Sequence, residues 1–177
     1  MHILTVEEQV RQLASKDSRM VSEATRALIQ SGREVVPALL RGLTHTDGKI
    51  RASCALLLDH FADDRCIEPL LSRIYEDPLE SVRRCALHSL VCDGCKECPL
   101  SVDVVSVLQH VIETDRSLAV KRRAVFYLSQ QPANPQIAHF LAALLHTTHD
   151  PEMQRRARYA LAFHDSWPDQ PISPRMT

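Results

Sequence analysis

Residues 47–58 read DGKIRASCALLL. Ile50, Cys54 and Leu58 stand four apart, and intervals of four return side chains to one face of an α-helix. The same series of an apolar residue, a small residue and a Leu or its equivalent recurs four more times. It appears at Met20/Ala24/Leu28, Val82/Ala86/Leu90, Val120/Ala124/Leu128 and Met153/Ala157/Leu161. The starting residues are separated by 30, 32, 38 and 33 positions. A period of that length marks stacked helical units that bury their apolar faces on each other. The small middle residue lets a neighbouring helix come close.

A second helix precedes each of these. The stretches VVPALLRGL (35–43), CIEPLLSRI (66–74), VVSVLQHVI (104–112) and IAHFLAALL (137–145) carry its core stripe. Counted from Val36, Ile67, Val104 and Ile137, apolar residues follow at offsets of three, four and seven, the pattern of a helix half sunk in a core. The first copy, VEEQVRQL, keeps only Val6, Val10 and Leu13, as befits a more polar end repeat. Thr5 and Glu8 form the capping box expected at the first helix start. Asp77-Pro78 and Asp150-Pro151 read as N-cap residues followed by a first-turn proline, with Glu80 three beyond Asp77. Gly32 fits a helix C-terminus. No alternating β-branched run and no Asn-Gly turn signals a strand. The expected fold is all-α, an α-α superhelix of about five helical hairpins over residues 1–164. Residues 165–177, DSWPDQPISPRMT, are rich in proline and polar residues and are expected to be a disordered tail, with Trp167 covering the edge of the last hairpin.

Composition narrows the function classes. A net charge of −1 gives no overall attraction to nucleic acid or to an anionic membrane. No apolar run approaches the roughly 20 residues that span a bilayer. The N-terminal MHILTVEEQV lacks a basic segment followed by an apolar one, so a secretion signal is not expected. The six cysteines are then expected to be free thiols in a reducing cytoplasm. Catalytic signatures are absent: no G-x-S-x-G, no Walker loop, no H-E-x-x-H. His146 and His149 beside Asp150 are read as a solvated helix end in preference to a ligand set.

The quoted repeats resemble the HEAT repeat. DGKIRASCALLL (47–58) and DPLESVRRCALHSL (77–90) match it well, and DRSLAVKRRAVFYL (115–128) and DPEMQRRARYAL (150–161) match it more loosely. Pro37 and Pro69 stand where the first helix of such a pair carries proline. The resemblance covers about residues 3–164 and departs in the first copy, where Val21 stands in place of the usual Arg. It implies a right-handed stack with the second helices on the concave side. It also implies that the Asp before each second helix and the basic residue near its start bond within and between repeats in a ladder, matched here by Asp47/Arg51, Asp77/Arg83 and Asp115/Lys121.

The 38-residue interval exceeds its neighbours, and the excess falls in VCDGCKECPL (91–100), an enlarged loop between repeats. Cys92, Cys95 and Cys98 lie three apart, and His88 stands one helical turn before Cys92. That set offers zinc three thiolates and an imidazole. The other reading is a loop of free or redox-sensitive thiols. No other cofactor is expected. Cys54 occupies a small core position, where a thiol packs as a small hydrophobe.

Counting each second helix from its first core residue, offset two faces solvent and is Ser22, Ala52, Arg84, Arg122 and Arg155. These last three are expected to form a basic row clear of the ladder, read either as an ordinary solvated face or as a groove suited to carboxylates or phosphates. The favoured function is therefore a non-catalytic scaffold whose concave face binds an acidic segment of another protein. Two alternatives stand beside it. One is nucleic-acid binding, as in HEAT-like DNA glycosylases, which the near-zero net charge and few aromatics argue against. The other is a lyase or chaperone-type subunit resembling bilin-lyase HEAT-like proteins, with no catalytic residue to carry over.

Overall fold

The five expected hairpins are all present. The computed structural model describes residues 4–96 and 99–165, and every regular element among them is helical. The chain divides into two compact units with the border at Val104/Val105. The first holds α1 (Val6–Gln12), α2 (Ser18–Gln30), α3 (Val36–Gly42), α4 (Gly48–Phe61), α5 (Ile67–Glu76) and α6 (Glu80–Val91). The second holds α7 (Val104–Thr114), α8 (Leu118–Leu128), α9 (Pro135–Thr147) and α10 (Pro151–Asp165). Single 3-10 turns at Gly32–Val35, Asp64–Cys66 and Asp93–Cys95 lead into α3 and α5 and follow α6. No helix among the described residues is long and apolar enough to cross a membrane. The tail with Trp167 lies outside the described residues, as does Cys98.

In the first unit, α4 packs on α3 and α6, and α6 packs on α5. The four-residue series forms this core: Ile50, Cys54, Leu58, Val82, Ala86 and Leu90 are all buried. Each fully buried Leu of this kind contributes about 1.5–3 kcal/mol. The small residue at the middle position has a visible reason. A Cβ on Gly42 of α3 would collide with the Cys54 side chain, so the two helices meet backbone to thiol. At the first helix the Thr5 capping box forms, with the Glu8 N–H donating to Thr5 Oγ1 and Glu8 accepting from the Thr5 N–H. Gly32 closes α2 with φ +64°, the left-handed backbone that glycine tolerates best.

In the second unit α10 packs on α9 and α8, and Val120, Ala124, Leu128, Met153 and Ala157 are buried. Leu161, the last of its series, is only half-buried. His164 is buried and ties three elements together. The Asn134 N–H donates to its Nδ1 at 3.2 Å, which leaves Nε2 to donate to the Leu128 carbonyl at 3.0 Å.

Three expectations need correction. Met20, placed in the core by its spacing, is 39% exposed. It lines an open cleft with Glu8, Arg11 and Gln12 of α1, so water reaches it beside its partner helix. Asp77 is not the N-cap of α6, which starts at Glu80 with Leu79 in the cap position. Asp77 instead ends α5 and accepts the Leu79 N–H at 3.0 Å, holding the connection extended. Third, the partners within the ladder differ: Arg51 reaches Asp77 of the following hairpin, while Arg83 and Lys121 bond to backbone carbonyls of their own hairpins. Arg51 donates from Nε and Nη2 to the two oxygens of Asp77, at 2.7 and 3.0 Å, and from Nη1 to the His45 and Thr46 carbonyls. Arg83 donates to the Asp77 backbone carbonyl and Lys121 to that of Glu113, while Asp47 caps α4 through the Lys49 N–H.

Candidate functional site

Two constellations carry chemistry, the arginines on the second helices of both units and a side-chain cluster in the first. The first to consider is the arginine row. Arg84 lies on the exposed face of α6, 3.8 Å from Glu80 one turn earlier. Arg155 lies on the exposed face of α10 and donates through Nε and Nη2 to Glu152 at 2.9 and 2.8 Å. Glu152 also receives Arg156, and these two guanidinium groups hold its carboxyl below the usual range. Arg122 departs from expectation. It does not stand clear of the ladder: its Nε and Nη2 clasp Asp150, the residue before α10. Asp150 also caps α10 by accepting the Met153 N–H, and the Arg122 contact depresses its carboxyl. In this unit the ladder thus passes through offset two, one residue later than Arg51.

The sequence reading missed what lies one turn beyond this row. Phe126 follows Arg122 by four and Tyr159 follows Arg155 by four, so each aromatic shares its arginine's helix face. Both are exposed, Tyr159 to 75%, and Phe163 one further turn along α10 is exposed as well. The Arg123 guanidinium rests against the rings of Phe126 and Tyr127, 5.6 and 5.8 Å from their centroids. The signal was available, because offset six carries Leu56, Phe126 and Tyr159 on helices whose offset-two side already faces water. Around the loop end of this unit an open cleft of about 750 Å³ is lined by Leu118, Lys121, Phe140, Leu144 and Met153. His149 and Asp150 reach its rim, but Asp150 is engaged by Arg122 and no ligand set forms with His146 or His149 among the described residues.

The second constellation is in the first unit. Ser89 donates its hydroxyl to the Ala55 carbonyl, fixing α6 against α4 at that level. One residue back His88, and one turn on from Ala55 the acid Asp59, therefore face each other, with Asp59 Oδ2 3.0 Å from His88 Nε2. Cys92 caps α6, and the 3-10 turn that follows brings Cys95 back over the helix end. Cys95 Sγ lies 3.2 Å from Cys92 Sγ and 4.0 Å from His88 Nε2. Asp59, His88, Cys92 and Cys95 thus assemble ligand atoms all within 4.8 Å of one another, the one such group among the described residues.

The electrostatics of the cluster are those of crowded acids. Burial opposes the Asp59 charge, yet the hydrogen bonds from His88 and Cys95 and the nearby positive groups hold its carboxyl low. Cys95, beside Asp59 and Cys92, has its thiol pushed up to about 12. Lys96 donates to the Cys92 carbonyl at 2.5 Å and places a cation at the rim. The other thiols differ in kind. Burial alone pushes Cys54 up to about 12, and it raises Cys66 and Cys85 as well, so these three are poor nucleophiles. Of the sequence-derived ligands, His88, Cys92 and Cys95 come together. Asp59 was missed: it sits in α4, outside the loop that drew attention.

No family model matches the chain, and no curated protein matches it. Among solved structures it is similar to a chain in the complex of CpcE and CpcF of phycocyanin lyase from Nostoc sp. PCC7120. That likeness has a TM-score of 0.70 at 21% identity, over 88% of this chain and 96% of the other. It is also similar to the designed armadillo repeat protein YIII(Dq.V1)4CPAF in complex with peptide (KR)4, with a TM-score of 0.50 at 17% identity, over 90% and 82% of the two chains. These likenesses show the fold, a HEAT/armadillo-like array of helical hairpins.

Proposed function

We propose that the protein is a non-catalytic helical-repeat scaffold that binds another protein through the exposed face of its second helices, the face that is concave in arrays of such hairpins. The observation that carries this reading is the pairing of arginine and exposed aromatic on α8 and α10. Arg122 with Phe126, and Arg155 with Tyr159, put a cation beside an apolar platform, the combination enriched at interface hot spots. An acidic segment is the matching ligand, since its carboxylates suit guanidinium forks and its apolar residues suit the rings. Both structural neighbours are recorded in complexes, one with a second protein and one with a peptide, which supports a protein partner. A cytoplasmic setting, which keeps the thiols reduced, completes the reading.

The three arginines do not contribute equally to such docking. Arg84 holds the exposed Glu80 and Arg155, itself exposed, holds the half-buried Glu152, and bridges bordering water in this way exchange cheaply for an incoming carboxylate. Arg122 is committed to Asp150, a largely covered helix cap, and serves mainly to position the face. Capture from a lysate of the source cells tests the reading. The Arg84→Glu/Arg122→Glu/Arg155→Glu variant is expected to lose a partner whose binding falls steeply with salt. Equal recovery of the same partners by the triple variant overturns it.

A second reading, a lyase-type subunit, is favoured by the likeness to the phycocyanin lyase chain. It requires a chromophore to pass through the protein. A visible absorption band on the chain purified from its source would favour that reading over the scaffold.

A further inference from the structure

We propose that Asp59, His88, Cys92 and Cys95 form a binding site for one zinc-type divalent cation, which pins the end of α6 to α4. This goes beyond the docking face: none of the four residues is among the arginines and aromatics that carry that reading, and metal binding is measured without any partner. The donor set is one carboxylate, one imidazole and two thiols, the mixture of borderline and soft ligands that zinc takes in four-coordinate sites. The carboxylate replaces the third thiolate that spacing alone suggested. Bond lengths of about 2.0–2.3 Å put the donors of a tetrahedral zinc about 3.3–3.8 Å apart. The observed separations of 3.0, 3.2 and 4.0 Å bracket that range, and none exceeds 4.8 Å.

A second observation points the same way. Asp59 is 4% exposed, and its Oδ1 is buried without a hydrogen-bond partner. Its other oxygen faces His88, and the Cys95 thiol stands close to the carboxylate. A buried, unsatisfied carboxylate oxygen is rare in folded proteins and calls for a ligand. A cation between Asp59, His88 and the two sulfurs supplies it. The reaction balances simply: the divalent ion binds two thiolates, and the two thiol protons pass to solvent. With ionised Asp59 and neutral His88 the loaded site carries one net negative charge, which Lys96 at the rim offsets.

The test uses the full chain, reduced, stripped with chelator and titrated with cobalt(II) and then zinc(II). One equivalent of cobalt is expected to give tetrahedral d–d bands and thiolate-to-cobalt charge transfer, both bleached by zinc. Cys92→Ser and Cys95→Ser are each expected to remove about half of the charge-transfer intensity, because one of two thiolates is lost. Asp59→Asn, which keeps the shape, is expected to weaken binding on the order of tenfold or more. Cys98→Ser is expected to leave stoichiometry and spectrum unchanged. Circular dichroism of each stripped variant shows that the helices persist, so a lost signal is a lost ligand. Absence of cobalt bands in the reduced protein overturns the proposal. So do bands that survive Asp59→Asn at full affinity but vanish in Cys98→Ser.

Discussion

Among the ion pairs that join consecutive hairpins, Arg51 with Asp77 in the first unit and Arg122 with Asp150 in the second share one geometry. Each is a two-pronged clasp from the start of a second helix to the acid of the following hairpin. Their surroundings differ. The Arg51 side chain is 9% exposed and that of Asp77 fully buried, whereas Arg122 remains about one-third open to water. Arg51 spends its remaining donors on two backbone carbonyls, and Asp77 fixes the entry to α6. The same chemistry is thus a keystone in one place and a surface brace in the other. What decides is the water left around it, because desolvated charges tolerate no missing partner while solvated ones are compensated at once.

Breaking the buried clasp should have the largest effect. Asp77→Ala strands Arg51 in the core and is expected to cost about 3–5 kcal/mol in urea unfolding. Converting both partners, as Arg51→Met with Asp77→Asn, should recover much of that loss, since no charge is left unpaired. Acid tests the same pair. Burial works against the Asp77 charge, but hydrogen bonds from Arg51 and Leu79 and the charges of Arg51 and Arg73 prevail and depress its carboxyl. Its contribution is therefore complete above the ordinary aspartate value of about 4 and is lost as pH falls below it through the folded value. A urea midpoint that declines with acid in the native chain, but much less in Asp77→Asn, is the expected result.

Arg122→Ala comes next. It should lower the unfolding midpoint by well under half the effect of Asp77→Ala, because water already reaches the Arg122 side of the pair and can replace it, while Asp150 keeps the Met153 N–H. An equal loss would erase the distinction drawn between the two clasps. The smallest effect belongs to Glu152→Gln. Its bridges to Arg155 and Arg156 border water and a neutral amide keeps hydrogen bonds to both, so the melting temperature should barely move. The same change releases Arg155 and should tighten capture of an acidic partner, a gain that calorimetry with that partner would read.

The fold was legible because its cause is periodic. Core positions at intervals of four, repeated near every 30 residues, define which faces must meet, and Ile50, Val82, Val120 and Met153 are all buried as that requires. Met20 escaped because a pattern records which face a residue shares and not how closely its neighbour covers it. The ladder was half legible. Charge types at fixed spacing announced pairing, but whether Arg51 turns to its own loop or the next depends on which carboxylate is buried. The cluster was legible in its loop half only. Asp59 stands at offset nine of its helix, where the other repeats place Ile29, Val91, Ser129 and Ala162. An acid in that uncharged column was the one written hint, and its meaning emerges only when α4 and α6 lie side by side.

The packing of Gly42 on Cys54 has a practical outcome. With that thiol sealed between helices, and Cys66 equally hidden, an alkylating reagent meets them only when the first unit opens. Their labelling rate is a native clock for breathing of this half of the chain, ticking without any dye or engineered probe.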